Sequence, residues 1–146
     1  MATVHRFEEL DVWKTARALT RTVYRLTTSD AFSKDFGLRD QIQKAAVSVM
    51  SNIAEGFDSR TQSTFIQFLG YARRSAAEVK SQLYVALDLD YVSQDEFDTA
   101  FDQVDKCSRQ LFRFIQYLRS RPNEPRVRED GVLYKIDDAH VAGEPS

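Results

Sequence analysis

The chain has 146 residues, a formal net charge of −2 and a sequence pI of about 5.7. This length suits one domain, and a hydrophobic content of 42% with 12% aromatic residues is enough to build a core. The composition excludes a largely disordered chain and a globally basic nucleic-acid binder. No apolar run approaches the roughly 20 residues that span a bilayer, and the first residues lack a secretory signal. We therefore expect a cytoplasmic protein without a membrane partner.

The first predicted helix covers residues 7–26. Its apolar residues recur at helical spacing and form one seam, which consists of Val12, Ala16, Leu19, Val23 and Leu26. Residues 27–36 are rich in turn and cap formers, so we expect a linker there.

The second predicted helix has two faces. Its apolar stripe consists of Leu38, Ile42, Ala45, Ala46, Val49 and Ile53. A polar face runs roughly opposite and consists of Gln41, Lys44, Ser48, Asn52 and Glu55. An ordinary core helix does not need the second face, which is therefore a candidate for function. Gly56 is expected to end this helix as a left-handed C-cap.

Two further helices follow. The third begins near Ser63 and keeps an apolar spacing of four and three residues as far as Ala86. Ser93 and Glu96 form a capping-box pattern that opens the fourth, which Pro122 stops. Short turns between successive helices make them antiparallel neighbours. The sequence thus predicts an all-α, antiparallel up-down-up-down four-helix bundle over residues 1–118.

Residues 119–146 differ in character from the bundle. They are charged, contain all three prolines and show no helical seam. We expect a C-terminal tail that is flexible or docked on a neighbour, in which Val132, Leu133, Tyr134 and Ile136 could form one short extended segment.

Charge is unevenly distributed over the fourth predicted helix. Residues 88–105 hold seven acids and no base, whereas residues 106–128 hold seven bases and only one acid, Glu124. In one interpretation this order stabilises the helix, because acids at its start and bases at its end interact favourably with the helix dipole. In the other, the basic end of the helix binds phosphate. Both interpretations remain open at the level of sequence.

Few residues are available for catalysis. The two histidines, His5 and His140, lie in predicted terminal segments, so a carboxylate and histidine metal site cannot be assembled in the bundle. Cys107 lies in an apolar helical pattern without a helical histidine partner, and we expect a buried thiol. We predict a protein that is not an enzyme and needs no cofactor or metal.

Several strings in one order resemble a known family. They are FEELDVWKTA from residue 7, FGLRDQIQKAAVSVMSNIAEGF from residue 36 and FIQFLGYARRSAAEVKSQL from residue 65. With the closing amphipathic helix, they resemble the 23S rRNA-intervening-sequence proteins, bacterial four-helix bundles encoded within rRNA-gene insertions or as free-standing genes. A more distant relative, the accessory variability protein of diversity-generating retroelements, is a pentamer that binds nucleic acid and a reverse transcriptase through basic surface. The resemblance therefore implies a homo-oligomer, by analogy a pentamer.

The match to the family pattern is partial. Residues that agree are Gln41, Ser48, Asn52, Ile53, Ala54, Glu55, Gly56, Arg60, Ser75 and Glu78. Gln43 and Lys44 replace a frequent arginine pair, Met50 replaces a frequent proline, and Arg74 stands where glycine is common. Compared with the family pattern, the second helix thus has less basic charge and the third helix has more.

The polar face admits two interpretations. In the structural one, a hydrogen-bond network fixes helix register within or between subunits, and its members are Ser48, Asn52, Glu55, Ser75, Glu78 and Gln82. In the binding one, a basic strip contacts the phosphates of RNA or DNA, with Asn52 and Gln82 as additional donors, and its members are Lys44, Arg60, Arg73, Arg74 and Lys80. We accordingly expect a scaffold that binds nucleic acid or a ribonucleoprotein partner. The alternative is a structural or protein-binding assembly with no nucleic-acid role.

Overall fold

The computed structural model describes residues 2–121 and the pair Lys135–Ile136. Its helices are α1 (Asp11–Leu26), α2 (Asp30–Lys34), α3 (Phe36–Asp58), α4 (Gln62–Asp88) and α5 (Gln94–Arg119), and a 3-10 turn (Phe7–Glu9) precedes α1. Two short strands, β1 (Ala2–Thr3) and β2 (Lys135–Ile136), pair antiparallel. The prediction of an all-α protein is confirmed. Most of the predicted tail, including Val132, Leu133 and Tyr134, lies outside the described residues.

The four long helices surround one core. α1 packs on α3 and α5, and α4 packs on the same two helices, so α1 and α4 lie diagonally across the bundle. Every long helix contributes fully buried apolar side chains, among them Leu19, Ile53, Leu69, Leu83 and Leu111. The seams with a spacing of three and four residues are buried because this spacing places their side chains on one side of each helix. No described helix is long and apolar enough to cross a bilayer.

Two contacts fix the register of α3 against α4. Ser75 Oγ donates to Ser48 Oγ at 2.8 Å near the middle of both helices. Nearer the connection between them, Gly56 packs against Phe65 and Phe68. Residue numbers therefore rise along α3 as they fall along α4.

Residue numbers also run in opposite directions along α4 and α5, as two contacts between these helices show. Lys80 Nζ lies 3.0 Å from Asp105 Oδ1. Gln62 Nε2, in the first turn of α4, donates to the carbonyl oxygens of Leu118 at 2.7 Å and Arg121 at 2.5 Å. Because the last carbonyls of a helix have no intrahelical partner, this glutamine acts as a C-terminal cap for α5.

Three local expectations need correction. Gly56 does not end its helix, because α3 continues to Asp58 and the glycine keeps a helical backbone. The predicted linker contains α2, whose Phe32 is fully buried against the core. The first predicted helix is divided, because Leu10 has an extended backbone between the 3-10 turn and α1. Gly56 is instead a packing residue, since a Cβ there would lie 2.9 Å from Phe65 Cδ1.

The capping box predicted at the start of the last helix is confirmed. Ser93 Oγ accepts a hydrogen bond from the backbone N–H of Glu96, whose carboxylate accepts one from the backbone N–H of Ser93. Just before it, the hydroxyl of Tyr91 donates to Asp35 Oδ2 at 2.9 Å, and this hydrogen bond raises the pKa of Tyr91. The turn before α5 is thus tied to the start of α3.

Candidate nucleic-acid interface

A groove of about 510 Å³ lies between the outer faces of α4 and α5. We call it the basic groove. Residues from both helices line it at intervals of three and four, the spacing that places side chains on one side of a helix. They are Gly70, Arg73, Arg74, Ala77 and Lys80 from α4, and Ser108, Phe112, Ile115 and Arg119 from α5.

Three of the four cations that line the basic groove form no ion pair with a described residue. Among the described residues, Arg73, Arg74 and Arg119 have no ion-pair partner. Lys80 is different, because it pairs with Asp105, which also accepts from Arg109. The three arginines therefore present net positive charge to whatever occupies the groove.

Aromatic rings lie beside two of these arginines. The guanidinium carbon of Arg73 is 5.0 Å from the ring centroid of Phe112, and that of Arg74 is 5.3 Å from the ring of Tyr71. Phe112 is 45% exposed, unlike its neighbours Leu111 and Ile115, which are buried. The groove thus combines guanidinium groups with an accessible aromatic face.

The groove surface between these side chains is formed by small residues. A Cβ built on Gly70 would meet no atom within 4 Å, and the groove's other small lining residues are Ala77 and Ser108. An extended ligand could therefore reach the backbone of α4 without a steric barrier.

The predicted basic strip is divided in the structure. Arg73, Arg74 and Lys80 line the basic groove, as their spacing on one helix implied. Lys44 is exposed on α3, Arg60 is exposed in the connection between α3 and α4, and neither lines the groove. The structure adds Arg119, Phe112 and Gly70, which the predicted strip did not include.

The predicted polar network is only partly assembled. Asn52 Nδ2 donates to Ser48 Oγ at 3.0 Å and to the Ser48 carbonyl oxygen at 2.8 Å, and Ser75 completes the cluster. Glu55 and Glu78 are exposed and have no hydrogen bond or ion pair to this cluster. The buried Oε1 of Gln82 accepts no hydrogen bond from any residue that the structure describes. Three of the six predicted members therefore come together between α3 and α4.

The described residues offer little for metal or thiol chemistry. Within them, no group of three or more His, Cys, Asp or Glu side chains could hold a metal ion. The Cys107 thiol is fully buried, and burial raises its pKa from 9.0 to about 12. A thiolate nucleophile is not populated at this position near neutral pH.

A family model for the 23S rRNA-intervening sequence protein matches residues 8–113, which include most of every long helix. The chain belongs to this family. The basic groove is therefore formed mainly within the family region, and only Ile115 and Arg119 of its lining lie beyond residue 113.

A solved structure supports the fold of this family member. It is a protein of unknown function from the S23 ribosomal protein family of Bacteroides thetaiotaomicron, 18% identical to this chain, with a TM-score of 0.66. The alignment covers 72% of this chain and 98% of that one. At this identity the likeness shows the fold alone. No curated protein matches the chain.

Proposed function

We propose that this family member is a non-catalytic, homo-oligomeric scaffold that binds RNA, or another nucleic acid in a ribonucleoprotein, through the basic groove. The observation that carries the proposal is the convergence of Arg73, Arg74 and Arg119, without acidic partners among the described residues, on one open groove. Guanidinium groups match the geometry of phosphate oxygens and stay charged at every physiological pH.

Local charge matters more than net charge here. The chain as a whole carries −2, so its average field opposes a polyanion. Phosphate binding must then come from clustered cations, and such clusters give contacts that are salt-sensitive and weakly sequence-specific. A ring of copies would multiply the effect of each groove through avidity.

The assembly and arrangement of the protein belong to the same proposal. The opposed registers of α3 with α4 and of α4 with α5 support an up-down-up-down bundle over residues 1–118, with residues 119–146 as a tail. A homopentamer rests on the resemblance to the accessory variability protein. We place the protein in the bacterial cytoplasm, where nucleic acid is available to it.

Charge reversal tests the proposal. In Arg73→Glu/Arg74→Glu, two of the three arginines that line the groove become acids. The matched control is Arg17→Glu/Arg21→Glu, which makes the same change in net charge on the exposed face of α1, diagonally opposite α4. Affinity for a labelled RNA is measured by fluorescence anisotropy across a salt series.

We expect the groove variant to lose at least tenfold in affinity and the control variant to stay close to wild type. For a single strand, each phosphate contact contributes about −0.7 to the slope of log K against log salt concentration. Loss of two contacts should therefore make the slope shallower by about 1.4 per groove. Equal losses in the two variants would mean that general charge, and not the groove, determines binding.

A second function is favoured by a different surface. Tyr84, Val85 and Leu89 are exposed at the end of α4, with exposed fractions of 52%, 42% and 50%. An exposed apolar cluster of this kind is typical of a protein interface, and it favours a purely structural or protein-binding assembly. In that case Val85→Asp/Leu89→Asp would reduce the assembled mass, while Arg73→Glu/Arg74→Glu would leave it unchanged.

A further inference from the structure

We propose that the basic groove takes single-stranded nucleic acid, with an unpaired base stacked on Phe112, in preference to a double helix. This inference rests on the proposed function and specifies its ligand. It depends on three features, namely an exposed aromatic ring in the groove, a helix surface there that carries only small residues, and a second ring beside Arg74 outside the groove lining.

The first feature is the position of Phe112. A phenylalanine that is 45% exposed contributes little to the core, which α5 fills with Leu111, Phe114 and Ile115. Its ring lines the groove, and the Arg73 guanidinium lies over the ring at 5.0 Å from the centroid. A base can stack on this ring when the guanidinium moves from the ring to the phosphate. Bases inside a duplex cannot do this, because both of their faces are already stacked on neighbouring base pairs.

The second feature is Gly70. Glycine inside a helix is less favourable than alanine by about 0.5–1 kcal/mol. No neighbouring atom requires it, since an added Cβ would meet nothing within 4 Å. Arg73 and Arg74 follow one turn later on the same side of α4. The missing side chain thus leaves room for a sugar-phosphate backbone to cross α4 beside the two arginines.

The third feature is the ring of Tyr71. It is oriented by an edge contact with Phe68, which lies on the α3 side of α4, and its hydroxyl accepts from Gln67 at 2.6 Å. The Arg74 guanidinium lies 5.3 Å from its centroid. Two pairs of arginine and aromatic ring therefore flank the bare outer surface of α4, one toward α5 and one toward α3. This arrangement suits two bases of one strand that crosses α4, one on each side of the helix.

The test compares two probes and six forms of the full-length protein. The probes are a labelled single-stranded oligouridylate of roughly 12 nucleotides, within the usual site size for such proteins, and a blunt RNA duplex of similar total charge. The proteins are wild type, Phe112→Leu, Phe112→Trp, Gly70→Ala, Arg73→Glu/Arg74→Glu and Phe36→Leu. Phe36 is the matched control, because it is 65% exposed under the Arg39 guanidinium at 4.8 Å but lies outside the groove.

We expect the wild type to bind the single strand more tightly than the duplex. Phe112→Leu should weaken single-strand binding about five- to tenfold, since stacking of a base on an aromatic ring has an effect of this order. The same variant should leave duplex binding unchanged. Phe112→Trp should retain affinity and Phe36→Leu should match wild type. Gly70→Ala should raise the melting temperature and still weaken single-strand binding.

The outcomes separate this inference from the proposed function. If single strand and duplex bind equally and Phe112→Leu has no effect, while Arg73→Glu/Arg74→Glu abolishes binding, the stacking inference is wrong and the proposed function stands. If the wild type binds neither probe, both are wrong. If polyglutamate of equal charge displaces the single strand as well as unlabelled RNA does, the groove selects charge alone, and an acidic protein becomes the better ligand.

Discussion

Gly56→Ala should destabilise the protein, although alanine is the better helix former. The added Cβ would lie 2.9 Å from both Phe65 Cδ1 and Phe68 Cβ and 3.3 Å from the Phe65 carbonyl oxygen. Carbon atoms prefer separations of 3.5–4.0 Å, so relief requires a movement of about 0.6 Å or more. Phe68 Cβ and the Phe65 carbonyl are fixed to the backbone, and rotation of a side chain cannot move them away. α3 and α4 must separate instead.

The magnitude follows from two opposing contributions. Overpacking of a tight contact typically costs about 1–3 kcal/mol. Replacing a helical glycine by alanine returns about 0.5–1 kcal/mol. The two ranges leave a fall in the free energy of unfolding centred on about 1 kcal/mol and at most about 2.5 kcal/mol, and a fall of about 1 kcal/mol lowers the melting temperature of a chain of this size by roughly 2–4 °C. Urea titration followed by circular dichroism at 222 nm measures the difference directly.

Gly70→Ala is the matched control for this prediction. Both glycines lie within long helices, but an added Cβ at Gly70 meets no atom within 4 Å. Only the gain in helix propensity applies there, so unfolding should become less favourable by about 0.5–1 kcal/mol. The free energy of unfolding should therefore fall in Gly56→Ala and rise in Gly70→Ala. If Gly56→Ala stabilises the protein as much as Gly70→Ala does, the close approach of α3 and α4 is refuted.

Three further predictions concern the ends of α5 and its buried thiol. Ser93→Ala removes the N-cap and should lower the free energy of unfolding by about 1 kcal/mol in a urea titration; no change would mean that the capping box does not hold the helix end. Gln62→Leu removes the amide that donates to the carbonyls of Leu118 and Arg121, although the Leu118 carbonyl keeps the backbone N–H of Arg121 as a donor. It should cost about 1 kcal/mol by the same assay, whereas a neutral result would show that water replaces the amide. Burial raises the pKa of Cys107 from 9.0 to about 12. Between pH 9 and pH 12 the unfolded chain therefore binds fewer protons than the folded chain, so the free energy of unfolding falls as the pH rises. Between pH about 7 and pH about 10, the free energy of unfolding should fall by about 1.4 kcal/mol more for the wild type than for Cys107→Ala. An equal fall in the two proteins would contradict a buried thiol.

Much of the fold could be predicted because it depends on local pattern. Apolar spacing of three and four residues indicated the four long helices, and Ser93 with Glu96 indicated the start of the last one. Gly56 was misinterpreted for a physical reason. Its role depends on Phe65 and Phe68, which the register of α4 places opposite it, and no local pattern contains that information.

The candidate site could be predicted only where one helix determines it. Arg73, Arg74 and Lys80 share a side of α4, so their spacing alone brought them together. Lys44 and Arg60 belong to other elements, and their inclusion required an assumption about how those elements pack. Phe112 stands beside the apolar seam of the last helix in the sequence, but a helical pattern does not show whether a residue at the seam's edge is covered by a neighbouring helix.

The central claim is that an oligomer of this protein binds RNA through clustered cations. Its most direct test is the light-scattering mass of the purified protein, with and without a mixed pool of cellular RNA, across a salt series. We predict a mass of roughly five times the 16.8 kDa chain that gains RNA at low salt and releases it at high salt. A monomer whose mass RNA does not change at any salt concentration would contradict both the assembly and the binding.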